Sequence, residues 1–151
     1  MDKRTRAREL AIQALYQLDV QGCDLLERLN EFFIENDHDE LVRKLAAQWC
    51  KGTWENVKLC DELIAASTIK WQMSRLSFVD KSILRLAVYH FKFCPDIPPK
   101  VVINEAVELA KKFSTDKSAA FVNGVLDAVL KKLIDSGSNH KQEITSGNTQ
   151  T

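Results

Sequence analysis

The sequence has little of what catalysis, metal binding or membrane insertion require. Its five glycines are scattered, so there is no glycine-rich loop to wrap a phosphate, and its three histidines, His38, His90 and His140, lie far apart. No nucleophile motif occurs. Cys23, Cys50, Cys60 and Cys94 form no Cys-x-x-Cys pair, which removes the common zinc and redox spacings and predicts reduced thiols in a cytoplasmic protein. A metal site at His38, among the carboxylates of ENDHDE, would rest on a segment too short to set a coordination shell. No apolar run approaches the roughly 18 to 20 residues of a membrane span. Charge of one sign is also missing: 21 Lys and Arg balance 21 Asp and Glu. A nucleic-acid partner must therefore be met by a local patch. The expectation is a protein with no cofactor, no membrane contact and no turnover; an enzyme would need residues that only the fold brings together.

What is present is helical periodicity. Hydrophobic residues make up 45% of the 151-residue chain, enough to bury a core in one domain or in two small helical halves. In the first segment, Ala7, Leu10 or Ala11, Ala14, Leu15 and Leu18 keep helical spacing. A break at Gln21-Gly22 precedes a second segment from Leu25 to Ile34. Asp37 or Asp39 is placed to cap the next helix, which runs from Leu41 to about Ser67 with Gly52 as a kink. Trp49 and Trp54 read as core anchors. The chain changes register around Trp71 to Ser77, and we place the junction between halves there, giving an N-terminal bundle over 1–70 and a C-terminal bundle over 71–135. A helix from Phe78 ends at Cys94-Pro95. Residues 136–151 are polar and rich in Gly, Ser, Thr and Asn, a composition that predicts a disordered tail.

The stretch Pro98 to Leu130 holds two further amphipathic segments. Val102, Ala106, Leu109, Ala110 and Phe113 recur at helical steps after Pro98-Pro99, which suit a first helical turn. Ser114, Thr115 and Asp116 are capping candidates for a second helix through Phe121, Val125, Ala128 or Val129, and Leu133. Asn123-Gly124 is a strong hairpin signal, but its flanks do not alternate apolar and polar, and Ala119, Ala120 and Ala128 favour helix. Helix leaves Gly124 as an interior glycine. It marks either a tight helix crossing or the close approach of a ligand or nucleic acid.

The local basic patch is at the start. Lys3, Arg4, Arg6 and Arg8 are opposed there only by Asp2 and Glu9. Arg4 and Arg8 share one helical face, while Arg6, Gln13 and Tyr16 line up roughly along another. Arginine forks suit phosphate and a tyrosine offers a base a stacking surface, although a short basic start is often only a solvated helix end.

Three blocks carry a family resemblance: ARELAIQALYQLD (Ala7 to Asp19), FVDKSILRLAVYH (Phe78 to His90) and VVINEAVELAKKFSTDKSAAFVNGVLD (Val101 to Asp127). In this order they resemble the NusB family of bacterial transcription antitermination factors, over roughly residues 4 to 135. The resemblance implies an all-α fold of two small three-helix bundles packed perpendicular to each other. It implies binding of the single-stranded boxA element of ribosomal RNA leader transcripts together with NusE, a small-subunit ribosomal protein, within the RNA polymerase elongation complex. Carried over by position, the RNA-facing residues are Arg4, Arg6, Arg8, Gln13, Tyr16, Lys112, Phe113, Ser118 and Phe121. Phe113 and Phe121 also suit the core. Asp80 stands at a usually acidic position, as a NusE contact or as an ordinary solvated carboxylate. Ala119-Ala120 replaces the basic residue that members often carry before the FVNG phenylalanine; Lys117 is one turn earlier. A monomer, a homodimer that hides its RNA face, and an interaction module that only recruits a partner all fit the sequence.

Overall fold

The computed structural model describes residues 2–68 and 76–149, the last stretch, 138–149, as backbone only. Within them the chain forms α1 (Lys3–Gln21), a 3₁₀ segment (Cys23–Arg28), α2 (Leu29–Asn36), α3 (Glu40–Glu55), α4 (Val57–Ala66), α5 (Phe78–Phe93), α6 (Pro99–Phe113) and α7 (Asp116–Thr149). No strand occurs among the described residues. The architecture is all-α.

Caps explain the boundaries. Asp2 accepts the Arg4 N–H and opens α1, and Gly22, at φ 84°, closes it by donating its N–H to the Leu18 carbonyl. That left-handed conformation is cheap only for glycine. Asp39, of the two candidates, caps α3 by accepting from the Leu41 and Val42 N–H groups. The long predicted third helix is broken at Asn56, four residues beyond the expected kink at Gly52. Asn56 sits at φ −110° and ψ 20° and returns its side-chain amide to the Gly52 carbonyl at 2.8 Å. Ser77 caps α5. Pro98-Pro99 starts α6, and Thr115 caps α7 by accepting the Ser118 N–H at 3.0 Å. Asn123-Gly124 lies inside α7 as helix.

α5 is the axle of the molecule. Every residue from Ser82 to His90 is buried, because α1, α3, α4, α6 and α7 all pack against it. A helix surrounded this way buries its polar residues as well, and Asp80, Ser82, Arg85 and His90 are all inside. α1 packs with α2 and α3, and α5 packs with α6 and α7; α4 lies mainly against α5 and α7. The predicted stripe of α1 is buried, with both Leu10 and Ala11 inside. Of the alternatives in α7, Val129 is fully buried and Ala128 half-buried. The predicted junction lies largely outside the described residues, since 69–75 are not among them. At the other end, α7 runs helical to Thr149, where composition predicts disorder. Extending an established helix costs far less than starting one, and Ile134, Asp135 and Ser136 are already exposed.

Gly124 corrects an expectation. A Cβ built there would meet nothing within 4 Å, so the residue is at no helix crossing. The glycine under a close neighbour is Gly52, where the Tyr89 ring lies over the backbone.

Candidate nucleic-acid interface

The exposed side of α1 faces the end of α6 and the start of α5. Spacing of three and four residues puts Ile12, Gln13, Tyr16 and Gln17 on adjoining strips of one surface. Val79 and Phe113 close the other wall. Together the six line an open groove of about 220 Å³. Tyr16 meets Phe78 edge to face at 6.2 Å between ring centroids. Phe78 is 44% exposed and Phe113 37%, unusual for large apolar rings unless something covers them. Each has a cation near its face: Lys81 Nζ is 5.4 Å from the Phe78 ring, and Lys112 Nζ is 5.4 Å from the Phe113 ring. The groove thus combines aromatic walls, amides and ammonium groups, a mixture suited to an unstacked base and its phosphate.

The α6–α7 joint continues this surface. Ser118 Oγ accepts from the Ser114 and Thr115 hydroxyls at 3.0 and 3.1 Å and donates to Asp80 Oδ2 at 3.3 Å. Asp80 is only 8% exposed. This corrects the reading of it as an ordinary solvated carboxylate. Asp80 faces inward because Ser77 caps the helix start three residues earlier and Ser118 meets it from α7. Phe121 is half-buried against the core.

The arginines divide. Arg4 is exposed and makes no ion pair among the described residues. Arg6 grips Asp37 through Nη2 at 2.6 Å and Nε at 3.2 Å. Hydrogen bonding to Asp37 raises the Arg6 pKa. Burial alone would raise the Asp37 carboxyl, but the Asp39 N–H and Arg6 together hold it below the usual carboxylate range. Arg8 is not on this surface. It is 3% exposed, with Nη1 3.8 Å from Glu105 Oε1 and the Trp49 ring beneath it. Its burial removes it from the predicted RNA face.

The structure therefore brings Gln13, Tyr16 and Phe113 into one groove, sets Lys112 and Ser118 beside it, places Arg4 and Arg6 farther along α1, and withdraws Arg8 and Asp80. Sequence reasoning missed Phe78 and Lys81. An aromatic at the first position of a helix, directly after a capping serine, was the available signal. The buried thiols offer no competing chemistry: burial pushes Cys50 and Cys60 up to about 12, so neither is a ready nucleophile.

The NusB family model matches residues 5–131 of the chain. The chain is 38% identical over 144 residues to the transcription antitermination protein NusB of Syntrophus aciditrophicus strain SB, covering 95% of this chain and 88% of that protein. Among solved structures, NusB of T. maritima superposes with a TM-score of 0.75 at 36% identity, over 87% of this chain and 92% of that one. A structure of the antitermination factors NusB and NusE in complex with double-stranded RNA superposes with a TM-score of 0.78 at 29% identity, over 87% and 98%.

Proposed function

Because the chain belongs to the NusB family, we propose that it is a cytoplasmic transcription antitermination factor that binds boxA RNA of ribosomal RNA leader transcripts jointly with NusE, as part of the RNA polymerase elongation complex. Its work is binding, without turnover. The observation that carries the RNA reading is the groove that sets Tyr16, Gln13 and Phe113 side by side. At about 220 Å³ it is smaller than the roughly 300–1,000 Å³ of pockets for drug-sized ligands and suits one planar ring. Tyr16 and Phe113 supply stacking faces, and the Gln13 amide can both donate to and accept from a base edge. Arg4, Arg6 and Lys112 lie where the flanking phosphates would run, and contacts of that kind fix register without reading sequence. Single-stranded RNA is the form proposed, because a base has to leave its stack to enter. The NusB–NusE complex with double-stranded RNA makes the paired form the comparison to run.

The test is fluorescence anisotropy with labelled boxA-like RNA, a scrambled strand and the boxA-like duplex, in a salt series, with and without purified NusE. The single-stranded boxA-like RNA should bind best and NusE should tighten it. The logarithm of affinity should fall with that of salt by about 0.7 per phosphate contacted. Tyr16→Ala and Phe113→Ala should each cost about 1–3 kcal/mol of binding, while Tyr16→Phe keeps most of it. If no RNA binds but NusE does, the chain is a partner-recruiting module and the RNA reading falls.

A further inference from the structure

Most of the charge at the basic start of α1 is already paired. Lys3, Arg4, Arg6 and Lys112 are among the cations of this end that reach solvent, and Asp2, Glu9, Asp37 and Asp39 stand beside them. The pairing is specific. Arg6 spends Nη2 and Nε on the two oxygens of Asp37, at 2.6 and 3.2 Å, in the forked geometry that a phosphate would otherwise take. Lys3 Nζ is 3.0 Å from Asp39 Oδ2, and Lys112 Nζ is 2.7 Å from Glu9 Oε1.

Asp37 and Asp39 come from the α2–α3 connection, which is held firmly. Asp37 Oδ1 also accepts the Asp39 N–H at 2.9 Å. Asp39 Oδ1 caps α3 by accepting from Leu41 and Val42, and Arg43 Nη1 donates to the carbonyls of Asp37 and His38 at 3.3 and 3.2 Å. The side chains of Asp37 and Asp39 are 13% and 24% exposed, against 36% for Arg6 and 56% for Lys3. The carboxylates are fixed and the cations come to them.

We infer that the Asp37–Asp39 connection is an internal substitute for RNA phosphate, occupying Arg6 and Lys3 in the free protein until an RNA backbone displaces it. The inference rests on the RNA-binding reading of this face. Binding is then an exchange of ion partners in place of a net gain. A polyanion that offers phosphate alone competes poorly with a prepositioned carboxylate, whereas an RNA that also fills the Tyr16–Phe113 groove has a second source of affinity. The clamp therefore lowers the affinity of every polyanion for this face by the same factor, and an RNA that also fills the groove keeps the affinity to bind. It also flattens the salt dependence, because each carboxylate set free takes up a counterion as the phosphate releases one.

Asp37→Asn tests this while keeping the shape of the side chain and an oxygen for the Asp39 N–H. Glu62→Gln is the charge-matched control: Glu62 is exposed on α4, with no ion pair among the described residues. With single-stranded boxA-like RNA, Asp37→Asn should bind several-fold tighter at low salt than either wild type or Glu62→Gln, with a log–log salt slope steeper by about 0.7. The gain should vanish in an Arg6→Ala background, and the scrambled strand should gain by the same factor as the boxA-like one. Binding equal to that of Glu62→Gln, or weaker, would overturn the clamp and make Asp37 a residue that positions Arg6. If wild type and variants alike bind no RNA, elution from heparin-agarose decides. Later elution of Asp37→Asn than of Glu62→Gln keeps the clamp while the RNA reading falls; co-elution ends both.

Discussion

The guanidinium carbon of Arg8 lies 5.3 Å from the centroid of the Trp49 ring, inside the core and away from the face that its charge suggested. Position 8 continues the row of Ala11, Leu15 and Leu18, all buried, and the row decides. The long stem packs as an apolar chain, Trp49 covers the planar head, and Glu105 approaches from α6. Burial lowers the Arg8 pKa from its ordinary value, against the pull of Glu105.

Arg8→Ala should therefore act on folding. Truncating the side chain opens a void against Trp49 and removes the buried stem, a loss on the order of 3 kcal/mol; Glu105, a quarter exposed and still bonded by Thr5, is not stranded. Arg4→Ala, on the exposed side of the same helix, should leave stability within about 0.5 kcal/mol. Urea denaturation of the two variants separates them; equal midpoints would return Arg8 to the surface.

This contrast marks how much could be read from the chain alone. The α1 and α6 stripes, the start of α6 at Pro98-Pro99 and a cap at Asp37 or Asp39 follow from period and spacing, which are local properties; the grouping of Gln13 and Tyr16 with Phe113 came only from the family resemblance, and the break at Asn56 was not legible. Arg8 and Asp80 failed because burial of a polar residue depends on what comes across from another helix: Trp49 and Glu105 in one case, Ser118 in the other. The neutralisation of Arg6 by Asp37 spans 31 residues and leaves no periodic trace. Glycine roles were hidden for the same reason, since nothing near Gly52 in sequence announces Tyr89.

The two helical glycines should respond in opposite directions. A side chain at Gly52 would run into the Tyr89 ring, which is itself 8% exposed and has little room to retreat. Gly52→Ala should lose about 1–3 kcal/mol by overpacking, and part of that should return in a Tyr89→Leu background. Gly124→Ala meets nothing and should gain about 1 kcal/mol from helix propensity. Thermal melts of both read the signs. A destabilised Gly124→Ala would contradict the open surroundings of that position.

His90 should make stability fall on mild acidification. It is 2% exposed against the edge of Trp49, and burial, followed by the nearby charges of Arg8 and Arg4, lowers its pKa to about 3. The unfolded chain takes up a proton near pH 6.5, while the folded one does not until about pH 3. Its contribution is thus complete above the unfolded value and is lost as pH drops through this window, by up to about 1.4 kcal/mol per unit. Asp37 and Asp39, whose pKa values are lowered, add losses only in the more acid carboxylate range. His90→Phe should flatten the profile between about pH 6.5 and 4.5; an unchanged slope there would mean that His90 titrates normally.

Arg85 ties three helices and should show the asymmetry of buried ion pairs. Its Nε and Nη2 bond the two oxygens of Asp61 on α4 at 2.7 and 2.9 Å, and Nη1 bonds Asp19 Oδ2 on α1 at 2.8 Å. With Arg85 only 8% exposed, Arg85→Met leaves two carboxylates facing each other without their cation, at a cost of about 3–5 kcal/mol. Converting all three together, as Arg85→Met with Asp19→Leu and Asp61→Leu, removes the stranded charges and should recover most of that loss, because the attraction among the three was largely offset by their desolvation. Urea melts of the single and triple variants measure the difference. Recovery would assign to the cluster the orientation of α1 and α4 on α5 more than net stability; a triple variant as unstable as the single one would mean that the network itself holds the two halves together.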